Sequence, residues 1–392
     1  MIILLFIYFL IFYRVPILGL HYEGEILCLL IFLFRLDISA RVFRDKIHSV
    51  LQLVNFVHFC IAILWIVISQ GDIEYIYPVV RNFFSITAAF WICCACSQRV
   101  ETVHIPFFML IGQVLSIYSC IVFYDICAPA QYFMHGEAYN RLMQDYSGQR
   151  GFSLASSLAF GLANSMSVLI VFYSYIFGRD SSSYKGTYGV FFLVTIPALF
   201  SVARITVFAY LLSFGFILMF SARKMNFIAS LAVTGVICTL SFLYFYEEIA
   251  RFVEFGFELF INIYRHGAFS TSSSTKLIED MLYFINGETL WVGTGQYYNN
   301  DGSYYGESDS GYVRPILFFG IFVFVLSLFT HIYILYIYFV KRYKMQFLFF
   351  SFLTLSLILQ LKGDTIGYSV DFVSAIALTI ASIEYSKKLR RI

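Results

Sequence analysis

Between Tyr246 and Gly311 lies a polar stretch whose residues suit chemistry on an anionic substrate. Arg265 and His266 stand side by side, and Glu307, Asp309 and Arg314 follow close together further along. Arginine offers a planar fork of N–H donors that matches phosphate oxygens two at a time, and it stays charged at any accessible pH. Carboxylates and imidazoles are the groups that deprotonate a hydroxyl. The pattern therefore suits an anionic leaving group held by arginines, with Asp309, Glu307 or His266 taking a proton from an acceptor. His135, Glu137 and Asp145 form an earlier set of the same kind. Asp309 has a second complete explanation. Ser308, Asp309 and Ser310 are all good helix N-caps and Pro315 suits a first turn, so capping alone accounts for it.

These groups must be positioned by membrane-spanning helices. The chain is 60% hydrophobic and only 13% charged, where soluble domains carry about a quarter charged residues. Its mean hydropathy is +0.79. Apolar runs of about 18 residues recur along its length without strand-like alternation, which indicates an all-α polytopic membrane protein and excludes an outer-membrane barrel. Apolar runs and charged breaks give about twelve spans, at 1–13, 24–38, 49–69, 79–97, 104–126, 153–178, 187–200, 203–221, 226–246, 312–340, 345–361 and 366–385. The run from Tyr188 to Phe220 is too long for one ordinary helix. It is divided at Ser201-Val202-Ala203-Arg204, because a charge is costly at a bilayer centre and tolerated at a helix end. The first run lacks a basic n-region and a small-residue cleavage site, so it reads as a span rather than a signal peptide.

With twelve spans, fifteen of the 26 basic residues fall in short loops on one side, from Arg41, Arg44 and Lys46 to the tail at Lys387–Arg391. That side is cytoplasmic by the positive-inside rule, and both termini lie there. The other side receives two larger loops, 127–152 and 246–311, within a single integral membrane domain of residues 1–392. In the second loop Leu277, Ile278, Met281, Leu282 and Ile285 fall at helical spacing before Asn286-Gly287, which predicts an amphipathic helix on the bilayer surface. A further helix is predicted over about 247–264.

Arg81, Arg141, Arg150, Arg204, Arg251, Arg265 and Arg314 all fall on the external side. Each alone is as well explained by lipid headgroups or loop carboxylates; together on one face they suit an anionic ligand. Gly293-Thr294-Gly295 lacks the strand–helix setting of a phosphate loop and reads as a turn. Lys362-Gly363-Asp364 is a tight external turn whose ions pair with the loops. Cys93-Cys94-Ala95-Cys96 sits in an apolar span without His or carboxylate nearby, so its thiols read as small hydrophobes and no metal site is expected. No HExxH, GxSxG or Walker motif occurs, and the cytoplasmic loops are too short for a nucleotide-binding domain. No nucleic-acid partner is expected.

Several segments resemble one family. Trp291-Val292-Gly293-Thr294-Gly295, Ser308-Asp309-Ser310-Gly311-Tyr312-Val313-Arg314 and Phe318-Phe319-Gly320-Ile321 resemble the large periplasmic loop and following helix of O-antigen polymerases (Wzy). Gln149-Arg150-Gly151-Phe152 and Leu361-Lys362-Gly363-Asp364 match as well, while Ser201-Val202-Ala203-Arg204 departs from the usual Ser-Arg adjacency. The resemblance implies a fold related to the C-type glycosyltransferases, in the inner membrane, with its site at the periplasmic face. It implies joining of oligosaccharide repeat units carried on undecaprenyl diphosphate, without cofactor or metal, among membrane lipids and with a chain-length regulator as a protein partner. By position it implies that Arg150, Arg204, Arg265 and Arg314 bind the diphosphate, and that a base among His266, Glu307 and Asp309 activates the acceptor hydroxyl. Tyr297, Tyr298, Tyr304 and Tyr305 are candidates for stacking on sugars, or for anchoring at the membrane interface.

Two other readings belong to neighbouring chemistry. An O-antigen ligase uses the same donor, but its His-Asn-type motif is replaced here by Asp309-Ser310-Gly311-Tyr312. A flippase for the same lipid would carry charges near the bilayer midplane and repeat symmetry between its halves, and neither is evident.

Overall fold

The computed structural model describes residues 2–15, 22–123, 160–179, 185–220, 258–267, 271–299 (except 284 and 286) and 303–386, with a few isolated positions between. The loop at 127–152, apart from Cys127, and most of the helix expected over 247–264 lie outside the described residues. Among the described residues the fold is helical, with one isolated bridge between Tyr298 and Tyr304. The helices in chain order begin with α1 (Ile2–Phe12), α2 (Glu23–Phe34), α3 (Leu36–Phe43), α4 (Lys46–Ser69), α5 (Ile76–Cys96) and α6 (Ile105–Val122). There follow α7 (Phe160–Arg179), α8 (Lys185–Val202), α9 (Val207–Phe220), α10 (Glu258–His266), α11 (Ser272–Lys276) and α12 (Glu288–Val292). The chain closes with α13 (Val313–Phe319), α14 (Ile321–Leu335), α15 (Gln346–Gln360) and α16 (Val370–Glu384).

Among the described residues, five helical stretches are long and apolar enough to cross a membrane: Lys46–Ser69, Ile73–Cys96, Thr102–Val122, Phe160–Gly178 and Ile321–Arg342. Four more are apolar but shorter: Ile2–Phe12, Phe191–Val202, Arg204–Met219 and Gln346–Gln360.

The chain divides into two compact units, one of Glu25–Thr102 and Ser270–Ile392, the other of Ile2–Gly24 and Val103–Phe269. In the first unit α5 packs along α16. The buried faces carry small side chains, Ala88, Ala89 and Cys93 on α5 and Ala375, Ala377 and Ala381 on α16, which lets apolar helices approach closely. One end of this unit is basic and tied by side chains. Asp45 caps α4 through Ile47 and His48 and accepts from Tyr385 Oη at 3.0 Å, and Arg342 pairs with Glu384 at 2.9 Å. Asp72, the segments 293–299 and 303–314, and Asp364 meet at the opposite end.

The expected span 312–340 is broken. Gly320 adopts φ 85°, a left-handed conformation that glycine takes at no steric cost, and this separates the short α13 from α14. The surface helix expected around Leu277–Ile285 is also shorter than its pattern: α11 passes into a π-helical turn over Leu277–Met281, and Leu282 is extended.

In the second unit α7 packs against α9, α6 and α8, and Phe107 stacks on Tyr173 with ring centres 4.1 Å apart. The long run from Tyr188 divides where the charge requires it. Helix α8 ends at Val202, Ala203 is extended, and Arg204 opens a single 3₁₀ turn before α9.

Candidate functional site

Helix α13 has only seven residues, and polar contacts hold both of its ends. At its start the Ser310 carbonyl accepts from the N–H groups of Val313 and Arg314, at 3.2 and 3.0 Å. The Ser310 hydroxyl accepts from Tyr312 N–H, and that of Ser308 from Ser310 N–H. The serines therefore close the turn, and Asp309 is left half-buried with no hydrogen bond or ion pair to any described residue. At its far end, where the last carbonyls of a helix lack partners, the Leu317 carbonyl accepts from Thr294 N–H at 2.6 Å. The Phe318 carbonyl accepts from Gly295 N–H at 3.0 Å and from Trp65 Nε1 at 2.7 Å. Gly293-Thr294-Gly295 is thus a turn, as its sequence predicts, and its work is to cap α13.

This clamped helix carries Arg314 into an aromatic cage. Residues 297–299 and 303–305 pair with each other: Tyr305 N–H donates to the Tyr297 carbonyl at 3.1 Å and Asn299 N–H to the Ser303 carbonyl at 2.8 Å. The rings of Tyr297 and Tyr304 lie 4.1 and 3.5 Å from Arg314 Cζ, and that of Tyr368 lies 5.8 Å away. Arg314 is 6% exposed, and its Nε and Nη2 are buried without a hydrogen-bond partner. Desolvated cation–π contacts contribute about 2 kcal/mol or more. Each unpaired buried donor costs about 1–3 kcal/mol, more when charged. The faces of the guanidinium are therefore satisfied while its Nε and Nη2 are not, an arrangement that an oxyanion with two acceptor oxygens would complete.

Asp364 supplies the neighbouring negative charge without a direct ion pair. It is 5% exposed. Its Oδ2 accepts from Tyr297 Oη at 3.2 Å and its Oδ1 from Gln360 Nε2 at 3.3 Å. Burial pushes its carboxyl up to about 6, against the opposing pull of Arg314 and of these two hydrogen bonds. Burial likewise holds the Tyr297 phenol well above its usual range, so it remains a protonated donor.

Gln360 organises the turn. It donates also to the Gly311 carbonyl and accepts from Thr365 and Ile366 N–H at 2.8 and 2.9 Å. The turn crosses Gly311 so closely that a Cβ there would collide with the Gly363 carbonyl. Asp72 anchors the other flank, where its Oδ2 accepts from Tyr297 and Tyr298 N–H at 2.5 and 2.8 Å.

Of the residues singled out in the sequence, Arg314, Asp309 and Glu307 share this end of the first unit. Glu307 is exposed with φ 54°. Arg204 and Arg265 belong to the second unit: Arg204 is ion-paired with Glu258 and Arg265 is exposed on α10. The Arg204 pairing is the loop-carboxylate explanation its position allows. His266 is the last residue of α10, and its side chain lies outside those described, as does Arg150.

In the sequence Asp364 stands as an ion of a turn and within the segment 361–364 that carries the resemblance, while nothing singles out Gln360 or Asp72 as its companions. A signal for Gln360 was present, since an amide inside an apolar run needs buried partners. Tyr297 and Tyr304, candidates for stacking on sugars or for anchoring at the membrane interface, face the Arg314 guanidinium. No family model matches the chain, nor does any curated protein or solved structure.

Proposed function

We propose that the chain is an O-antigen polymerase of the inner membrane, joining repeat units carried on undecaprenyl diphosphate at the periplasmic face. The observation that carries the reading is Arg314: a buried guanidinium at the mouth of an apolar helix, with tyrosine on its faces and in-plane donors free for an anion. Its resemblance-bearing neighbours, the segments 291–295, 308–314 and 361–364, meet around it. The basic loops gather at the opposite end of the same unit, so the positive-inside rule turns the site outward.

In this reading the acceptor hydroxyl attacks the anomeric carbon of the growing glycan as the sugar–phosphate C–O bond breaks, leaving the electron pair on the terminal phosphate oxygen. Arg314, already desolvated and fixed, stabilises that charge without reorganisation. The acceptor proton goes to Asp309, the half-buried carboxylate on the same loop. Asp364 is a positioning residue, since both its oxygens are engaged, by Gln360 and Tyr297. It holds the tyrosine that faces Arg314 and balances the buried charge.

Surface lipopolysaccharide from a strain lacking the gene tests this. A single repeat unit on lipid A–core, with the ladder restored by the intact gene, is expected. Bare core points to a ligase or flippase instead, and an unchanged ladder overturns the proposal.

A further inference from the structure

Directly after Asp364, residues Thr365, Ile366 and Gly367 form one end of a cavity of about 360 Å³, within the range of about 300–1,000 Å³ found for ligand sites. Its walls come from α4, α5, α14 and α16. The lining on α4 runs from Leu51 to Ile61, ten residues of helix and so about 15 Å, roughly half the thickness of a bilayer's hydrocarbon core. The cavity is thus a slot along the helices. It starts beside the Arg314 cage, since Tyr368 follows Gly367 and its ring lies 5.8 Å from Arg314 Cζ.

The lining contains polar residues, but their hydrogen-bonding groups are mostly turned toward the protein. Asn55 Nδ2 donates to the Val79 carbonyl at 3.1 Å, His58 Nε2 meets Tyr75 Oη at 3.3 Å, and His331 Nε2 meets Ser356 Oγ at 2.9 Å. Asn82 Oδ1 is buried without a partner, and Asn82 Nδ2 contacts the Gly367 carbonyl, which puts this polar group at the end next to the head site. Leu53, Val57 and Leu326 line the slot and are also 60%, 49% and 54% exposed on the outer surface, so its rim is continuous with the apolar face that lipid would cover.

We propose that this slot binds the first isoprene units of a polyprenyl diphosphate whose phosphates meet Arg314. The inference rests on the function proposed above and adds to it where the lipid chain lies. A slot that is long, apolar and open along its rim to lipid, ending at Gly367 beside the tyrosine whose ring faces Arg314, matches an amphiphile with an anionic head and a hydrocarbon chain. A compact polar metabolite would leave most of the wall unmatched.

The test measures binding of inorganic diphosphate, farnesyl diphosphate and undecaprenyl diphosphate to the full-length protein in lipid nanodiscs, for wild type and Ala377→Trp. Ala377 lines the slot and is 2% exposed, so the indole would fill the slot at a distance from Arg314. Wild type is expected to bind the prenyl diphosphates about a hundredfold more tightly than inorganic diphosphate. Ala377→Trp should lose most of that gain while binding inorganic diphosphate as wild type does.

A variant that keeps the full gain overturns the slot and leaves the polymerase reading standing. Wild type that binds none of the three overturns the anion site itself, and the slot with it. Equal binding of phosphatidic acid and prenyl diphosphate makes the slot a site for bilayer lipid and overturns the proposal. If Ala377→Trp does not fold, a diazirine-bearing prenyl diphosphate is crosslinked to wild type. Labelled peptides from α4, α14 or α16 around the slot support the proposal, and labelling elsewhere overturns it.

Discussion

Tyr304 lies over the guanidinium of Arg314, its ring centre 3.5 Å from Cζ, and this contact explains how a charge survives where water is excluded. The ring takes the cation's face and leaves its edge free. A carboxylate in the same place would have taken the edge and closed the site. That difference separates Arg314 from Arg204, whose fork is paired with Glu258.

The shape of that cation decides what it can hold. Arg314→Lys keeps the charge but loses the planar fork, and Arg314→Met keeps the bulk and loses the charge. Both are expected to lower polymer formation by about 10²–10³-fold, the range for removal of one pre-positioned oxyanion donor. Arg314→Met should also melt lower in detergent than wild type, because it removes the cation–π contacts and leaves the buried Asp364 without the charge it balances. Turnover with a lipid-linked repeat unit, beside a melting curve, checks both parts. Activity within tenfold of wild type in the lysine variant would sink the bidentate role.

Tyr304 separates ring from hydroxyl. Tyr304→Phe retains the π face and should stay close to wild type, whereas Tyr304→Leu loses a desolvated cation–π contact of about 2 kcal/mol, or roughly thirtyfold in affinity for an anion at Arg314. Diphosphate titration of the two variants distinguishes them. Equal binding in both would mean that the ring only fills space.

Asp364 makes stability depend on pH in the direction opposite to a salt-bridged aspartate. Its carboxyl sits at about 6 in the folded protein against 3.8 unfolded, so between those values the native state holds the extra proton. Stability therefore falls as pH rises through this window, and above about 6 the full penalty, of order 3 kcal/mol, is present. Asp364→Asn keeps an acceptor for Tyr297 and carries no such penalty. It should melt above wild type at pH 7.5, with the gap closing by about pH 4. Scanning fluorimetry across that range reads the gap directly, and a gap independent of pH would overturn the assignment.

How much of this was visible beforehand follows from what each feature depends on. The helical, apolar character and the break before Arg204 depend on local composition and on the cost of a charge inside an apolar run, and both are legible in order along the chain. Arg314 was legible for the same reason, standing where polar loop meets apolar helix. The break at Gly320 was not read, because the residues on both sides are uniformly apolar and only the φ of 85° marks it. The contact of Asp364 with Tyr297 joins positions 67 residues apart, and that of Asp72 with Tyr297 joins positions 225 apart. Side-chain type alone does not choose between such partners. The tyrosines read as surfaces for sugars or as interface anchors, and a ring that holds an arginine has the same sequence signature.

Asp72 offers the last test, because it acts on the site only through the backbone. Its Oδ2 takes the N–H groups of both Tyr297 and Tyr298, and hydrogen bonds to a charged acceptor contribute about 1.5–3 kcal/mol each. Asp72→Ala leaves the buried Tyr297 N–H unpaired and frees the paired segments that present Tyr297 and Tyr304. It should destabilise the protein by about 3 kcal/mol and lower turnover more than it raises KM, since the arginine would be poorly held as charge develops on the phosphate. Asp72→Asn keeps one acceptor oxygen and should recover most of both losses. Limited proteolysis between 297 and 305 should become faster in the alanine variant alone. If that variant instead resists cleavage and polymerises as wild type does, the cage is built by ring packing around Tyr75 and Phe318, and the carboxylate is incidental to it.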